Sequence, residues 1–530
     1  MKYDLAIIGS GIGGLTVAAI ASKYYGKKVL LLEQHFKAGG FTHVFKRKQK
    51  YQWDVGIHYI GDLHEGSSLR SIFDALTDKQ VNWIKMPKVF EVFHYPWGQF
   101  HVPDSVAEYK SKLIELFPDE QESLELYFDD IQKASHWFSR NVTLKGKPAF
   151  FNEFNSLFKC SNDIDISATT KDYMSARFKS KKLQSLLVSQ WGDHGLPPAK
   201  SSFIMHCLIV NHYLAGGYYP EGGSQNIADS ITKQLESAGS QVVLNQKVTR
   251  FELSEGRVSK LYARDPRKKD SEETCYEADI VVSNAGAWNN YLKLLPSQVA
   301  QEERSALSKL VEKAPVTTNV TLYVGLKSSP ESLGVKGENY WIFGDEDHDY
   351  AFDQRGSWVV DKERPAEFGY LSFPSLKSGE SDVAHTAEII SFTDYESFEK
   401  WEGQPWKKKD EDYKELKENI ANKLLDLIER VHPGFKELVD FYELSTPLTN
   451  THFSNHPRGA IYGIPTVPER FHSESGSFTK VETPVANFFQ TGADVNSPGV
   501  AGALMGGILT AAHLFEDKSV MKIFKKFSNK

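Results

Sequence analysis

Cysteine is nearly absent. The 530 residues carry three, Cys160, Cys207 and Cys275, and no two form a CxxC pair. That excludes a disulfide framework and a cysteine-built metal centre, and it fits a reducing compartment. No HExxH spacing occurs, so no metal is expected. A basic excess is also missing: the formal net charge of -7 argues against a nucleic-acid partner. There is no internal repeat and no low-complexity tract. Long apolar runs are few. Residues 495–515 are low in charge, but their glycines, Pro498 and His513 suit a packed helix better than a membrane span. An apolar strand is expected from residue 3, which leaves no room for a signal peptide, so a cytoplasmic protein is expected.

What the chain does contain is a glycine signature at each end. Residues 5–8 form an apolar run ending in Gly9, as in a strand buried on both faces. Residues 12–22 are small and apolar, suiting a helix packed tightly on a sheet. Residues 29–32 are a second buried strand, ending at Glu33, 19 residues beyond Gly14. This is a βαβ unit around Gly9-x-Gly11-x-Gly13-Gly14. Gly9 permits the tight turn, Gly11 lets the backbone approach a pyrophosphate, and Gly14 lets helix and strand pack closely. The helix start offers free N–H groups to phosphates. Glu33 can accept from ribose hydroxyls, which disfavours a 2′-phosphate. Gly39 and Gly40 allow a second backbone loop beside the pyrophosphate.

The other end reads Gly492-Ala-Asp494, then a helix start of small residues. Asp494 can accept from a ribityl hydroxyl. The N–H groups of Val500, Ala501 and Gly502 can face a flavin pyrimidine edge and stabilise negative charge there. The two ends together favour FAD over NAD as the bound dinucleotide.

Between them the pattern is mixed. Helices are expected at 105–117, 120–138, 181–191, 202–214, from about 225, and at 410–431, the last with one apolar stripe. Strands are expected at 51–60, 241–244, 276–283, 319–325 and 388–393, with a hairpin of 248–253 and 257–264 around Gly256. The fold class is α/β: a discontinuous Rossmann-type FAD-binding domain of residues 1–95, 205–295 and 450–530, and a mixed α+β substrate domain of 96–204 and 296–449.

These motifs resemble the phytoene desaturase-like branch of the FAD-dependent amine-oxidase fold. Within it, Gly39-Gly-Phe-Thr-His-Val-Phe, Trp53-Asp-Val-Gly56-Ile-His58-Tyr59-Ile-Gly61, Tyr218-Tyr-Pro-Glu-Gly222-Gly223-Ser and the segment from Asp494 look like the all-trans-retinol 13,14-reductase (retinol saturase) and carotenoid isomerase group. The resemblance implies that the glycine turns and Glu33 hold the ADP half, and that the strand starting at Val248 offers its backbone to adenine. The family often has a basic residue after the glycine pair, where this chain has Phe41. The implied activity is FAD-dependent oxidoreduction of a C=C bond in a long apolar conjugated lipid, with saturation by hydride transfer favoured over desaturation or isomerisation. The reductant or electron acceptor stays open. Two other readings stand beside it: an FAD-dependent amine oxidase, and a flavin-free escort of prenylated proteins like the Rab GDP-dissociation inhibitors. Gly14, Glu33 and Asp494 all argue against the escort.

His58 and Tyr59 follow a glycine on an expected strand, where either can donate a proton or orient a substrate end; a structural hydrogen-bonded pair is the competing reading. Aromatics, 12% of the chain, can line a tunnel for a polyene. In the tail, Lys518, Lys522, Lys525, Lys526 and Lys530 interleave with Val520, Ile523, Phe524 and Phe527. Such a basic amphipathic helix can rest on an anionic membrane, so peripheral contact is expected alongside a solvated terminus.

Overall fold

The structure, a computed structural model, describes residues 2–145, 164–268, 270–380, 383–471 and 477–528. Its first sheet is built from the two ends and the middle of the chain. The order runs Gln241–Val243, Val29–Leu32, Lys2–Ile8, Thr274–Ser283, with Phe488–Gln490 beside the last of these, all parallel. The hairpin Lys247–Ser254 and Arg257–Arg264 extends it antiparallel. Leu5, Ala6 and Ile7 are fully buried because helices and loops cover both faces, the ordinary fate of a parallel sheet.

The helix Ile12–Tyr25 follows the first strand, and every residue from Ile12 to Ser22 is buried. Gly26 ends it in the left-handed conformation, φ 61°. Against this helix packs Gly499–Phe515, and the two meet through small residues. A Cβ on Gly507 would come within 2.6 Å of Thr16 Cβ and 2.7 Å of Gly13 O. Only glycine lets the backbones approach so closely.

The second sheet has the order Val439–Ser445, Thr318–Leu326, Thr386–Thr393, Phe368–Ser372, Asn339–Phe343, Val89–Tyr95, Gly98–Pro103. Only the pair Asn339–Phe343 and Val89–Tyr95 is parallel. Val89–Tyr95 thus sits across the division expected after residue 95. Side chains alternate between its faces. Tyr340, Ile342 and Leu371 pack beneath the helix Glu411–Val431. Trp341, Phe343 and Tyr370 point the other way, toward the helices Gln121–Lys145 and Phe203–Tyr213.

Three expected elements differ. The strand expected at 51–60 is interrupted: Tyr51–Asp54 pairs with Val44–Arg47, and Ile60–Gly61 pairs with Gly217–Pro220. Asp54 causes the break, because its buried carboxylate accepts from Ser224 N–H at 2.9 Å and from the Tyr219 hydroxyl and anchors the chain there. His58 and Tyr59 therefore lie in an irregular turn, not on a strand. The helix expected at 181–191 ends at Leu187 and tightens into a 3-10 turn, Ser189–Asp193. The tail forms the helix Val520–Ser528, but its apolar side faces inward: Val520 and Ile523 are buried, and Phe527 meets Tyr24 with ring centroids 5.5 Å apart. Among the described residues, no single helix is long and apolar enough to cross a membrane.

Candidate active site

A continuous cavity of 1130 Å³ runs from the glycine turn to the inner face of the second sheet. All the site residues expected from the sequence line it except Gly14 and Gly492, which lie directly behind its wall. A Cβ on Gly14 would collide with the Gly9 carbonyl, so this glycine serves helix–strand packing. The second glycine loop stacks on the first: a Cβ on Gly40 would stand 3.0 Å from Gly11 Cα.

Asn284, which carries no motif, ties the two ends together. It follows the strand Thr274–Ser283, and its N–H donates to Ile8 O at 2.8 Å. Its side chain occupies the space that Cβ atoms on Gly11, Gly13 and Gly492 would claim; on Gly13 a Cβ would lie 2.7 Å from Asn284 Oδ1 and 2.6 Å from Gly492 Cα. The opposite ends of the sequence therefore converge at the glycine turn.

The two carboxylates expected to hold the dinucleotide are already braced. Glu33 accepts from Ser10 N–H at 2.8 Å, Ser10 Oγ at 2.7 Å and His35 N–H at 2.7 Å. Asp494 accepts from Ala287 N–H at 2.7 Å and Ile464 N–H at 2.9 Å. Glu33 Oε1 and both Asp494 oxygens, with one donor each, keep further lone-pair capacity. Arg470, another residue without a sequence signal, is buried behind Asp494 and donates to the carbonyls of Ile464 at 2.7 Å and Ala493 at 2.6 Å. Burial pushes its guanidinium down to about 10.

The cavity is built to take a polar ligand at this end. The helices Ile12–Tyr25 and Gly499–Phe515 begin at Gly11 and Pro498, neither of which caps them with a side chain, so their first-turn N–H groups stay available. Gln246 Oε1, Thr491 Oγ1 and Asn496 Oδ1 are buried in residues of its wall and lack hydrogen-bond partners among the described residues. Val248 lines the same end, and Phe41 faces His456 with ring centroids 5.6 Å apart.

The other end is aromatic and acidic. Tyr213, Trp341, Tyr370 and Phe392 form its walls with Met205 and Ile209. Tyr59 stacks on Tyr213, ring centroids 4.2 Å apart, and its hydroxyl donates to Asp193 Oδ2 at 2.8 Å. His58 Nδ1 lies 2.7 Å from Glu388 Oε2, off the direction of a ring N–H hydrogen bond. Burial raises Glu388 above the usual carboxylate range, with Asp54 adding to the effect and His58 opposing it. Lys377, also buried, donates to the His58 carbonyl at 2.6 Å, Asn339 Oδ1 at 3.0 Å and Ser372 Oγ at 2.6 Å. Its ammonium is pushed down to about 8 by burial. Burial likewise raises Asp193 and Glu91, and the Asp193 charge pushes Glu91 further.

A dinucleotide turn joined to an enclosed aromatic pocket with buried acids defines an oxidoreductase on a Rossmann-type domain. A family model described as an NAD(P)-binding Rossmann-like domain matches residues 7–76. The all-trans-retinol 13,14-reductase of Danio rerio is 33% identical over 525 residues, spanning 95% of this chain and 84% of that protein. A chloroplastic prolycopene isomerase of Arabidopsis thaliana is 26% identical over 504 residues, 87% of this chain and 74% of that one. A solved putrescine oxidase variant superposes with a TM-score of 0.61 at 16% identity, covering 97% of this chain and 98% of that one, a likeness of fold. The chain belongs to the all-trans-retinol 13,14-reductase family.

Proposed function

We propose that the protein holds FAD between the glycine turn and the helix Gly499–Phe515, and that it reduces a C=C bond of a long conjugated lipid in the aromatic pocket. The observation that carries this reading is the continuity of the cavity: the polar end beside the glycine turn opens directly into a pocket walled largely by aromatic and aliphatic side chains, with Asp193 among them. Gly11, Gly13, Gly39 and Gly40 would admit the pyrophosphate, Glu33 the adenosine ribose, and Asp494 with the uncapped start of the C-terminal helix the flavin half. Bound flavin supplies hydride chemistry that side chains cannot.

The chain's own residues do the rest. Tyr213, Trp341 and Phe392 offer flat apolar surface to a polyene and exclude water. The named relatives, a retinol reductase and a carotenoid isomerase, support a polyene over an amine. The test is anaerobic incubation of the FAD-loaded, reduced protein with all-trans-retinol and a carotenoid panel, with products followed by mass. A gain of two hydrogens supports saturation. An unchanged mass with a shifted absorption spectrum would move the reading to isomerisation. Peroxide release with amines in a separate aerobic assay, and no turnover of any polyene, would replace it with amine oxidation.

A further inference from the structure

Reduction of a C=C bond needs a proton as well as a hydride. Three groups near the aromatic pocket are candidates. The Tyr59 hydroxyl is spent on Asp193, and burial raises its pKa far above the usual phenol range. His58 faces Glu388 through Nδ1. Asp193 stands differently. It ends the 3-10 turn Ser189–Asp193 and lines the cavity. Oδ2 takes the Tyr59 hydroxyl, while Oδ1 has no protein hydrogen bond among the described residues.

Behind Asp193 the packing is rigid and acidic. Glu91 is fully buried and accepts from Gln190 Nε2 and from Trp341 Nε1, both at 2.7 Å. The same Trp341 ring lies against Gly192, where a Cβ would come within 2.8 Å of it. Glu91 therefore fixes two side chains that frame the turn carrying Asp193. Around Asp193 stand Tyr59 and His58 from the turn before Ile60, which act on it, and Glu91 and Tyr370 from the second sheet, Tyr213 from the helix Phe203–Tyr213, and Tyr462, on which its charge acts. Only His58 among them can be cationic. Two carboxyls in one dry pocket do not both ionise near neutrality.

We propose that Asp193 is the acid that protonates the substrate carbon, with Glu91 as the positioning residue behind it. This rests on the polyene-reducing reading. One carbon of the double bond accepts the hydride that reduced flavin supplies; its neighbour takes the proton from Asp193. The hydride would bring its own electron pair to one new C–H bond, the π pair would form the other with the proton, Asp193 would be left as the carboxylate, and water would return its proton.

The wild-type rate should fall as pH rises, because Asp193 must be protonated to act. D193N should lower kcat about 100-fold or more, keep polyene affinity within about twofold, and abolish the alkaline limb. E91Q removes the neighbouring carboxyl, so Asp193 ionises more easily and the limb should move to lower pH. An infrared carboxylic-acid band at neutral pH should be present in the FAD-loaded protein without substrate and should weaken in D193N. Active wild type with an unaffected D193N, or an unchanged infrared band, would overturn this assignment alone. Wild type inert toward every polyene would overturn the parent reading and this one with it. If D193N does not fold, the E91Q limb decides: an unmoved limb rejects the proposal.

Discussion

At the scale of the residue, the constraint that joins the two ends of the chain is the space between Gly13 and Gly492. An added Cβ on Gly13 meets Gly492 Cα at 2.6 Å, Asn284 Oδ1 at 2.7 Å and Ala503 O at 3.0 Å. Two of these are backbone atoms that cannot step aside. G13A should therefore destabilise the protein by about 2 kcal/mol, an overpacking cost, and weaken flavin retention; both are read from thermal melts followed by flavin fluorescence. Normal flavin binding in a stable G13A would sink the argument. Asn284→Leu should do the same from the partner side, because the amide fills that gap with polar atoms facing three glycines. Gly13 was legible in the sequence and Asn284 was not. A glycine motif announces its role by local spacing, whereas an asparagine contacting positions 11, 13 and 492 has no local pattern. The same reason hid Asp193, Glu388, Lys377 and Arg470, whose chemistry arises only when distant strands and turns meet in a dry pocket.

At the scale of the element, periodicity made most of the helices and the parallel strands readable. The helix expected at 410–431 forms as Glu411–Val431, and the hairpin around Gly256 forms within a residue of its expected bounds. The hairpin Val89–Tyr95 and Gly98–Pro103 escaped notice because its strands are aromatic-rich and its turn, Tyr95-Pro-Trp-Gly98, interrupts no clear alternation. The tail shows how packing overrides amphipathicity. Its apolar stripe matched a membrane-surface helix, yet Val520 and Ile523 are buried in the core that packs on the first sheet, and Lys526 pairs with Glu516 at 3.3 Å. Removing residues 520–530 should therefore lower stability by about 3 kcal/mol from those two side chains alone, measured as a drop in the urea midpoint. Unchanged stability together with lost binding to anionic vesicles would favour the membrane role.

At the scale of the whole molecule, buried titratable groups set an optimum of stability. Burial pushes His194 and His206 down to about 3 and His35, His212, His348 and His432 down to about 4, so all six stay neutral in the folded chain through mildly acid conditions. An unfolded histidine titrates near 6.5. Above that value both states are neutral and the stabilisation is complete; below it the unfolded chain gains protons that the fold refuses, and stability falls toward pH 4. Glu91, Asp193 and Glu388 act in the opposite sense. Their pKa values are raised on folding, so the native state holds protons that the unfolded chain has lost, and stability falls as pH rises from about 4 through their folded values. Six histidines outweigh three acids between about pH 4.5 and 6.5, so stability climbs there. Beyond that window only the acids still change, so stability declines until Lys377, lowered to about 8, reverses the slope by shedding its proton before the unfolded lysine does. Urea midpoints should therefore peak near pH 6.5. His206→Gln, which keeps a polar partner for the Tyr127 hydroxyl now 2.7 Å from Nε2, should flatten the acid side. Glu388→Gln should flatten the other. A midpoint that only falls as pH rises from about 4 to 6.5 would show that burial does not hold these histidines neutral, and would remove with it the dryness on which the pocket's acid chemistry depends.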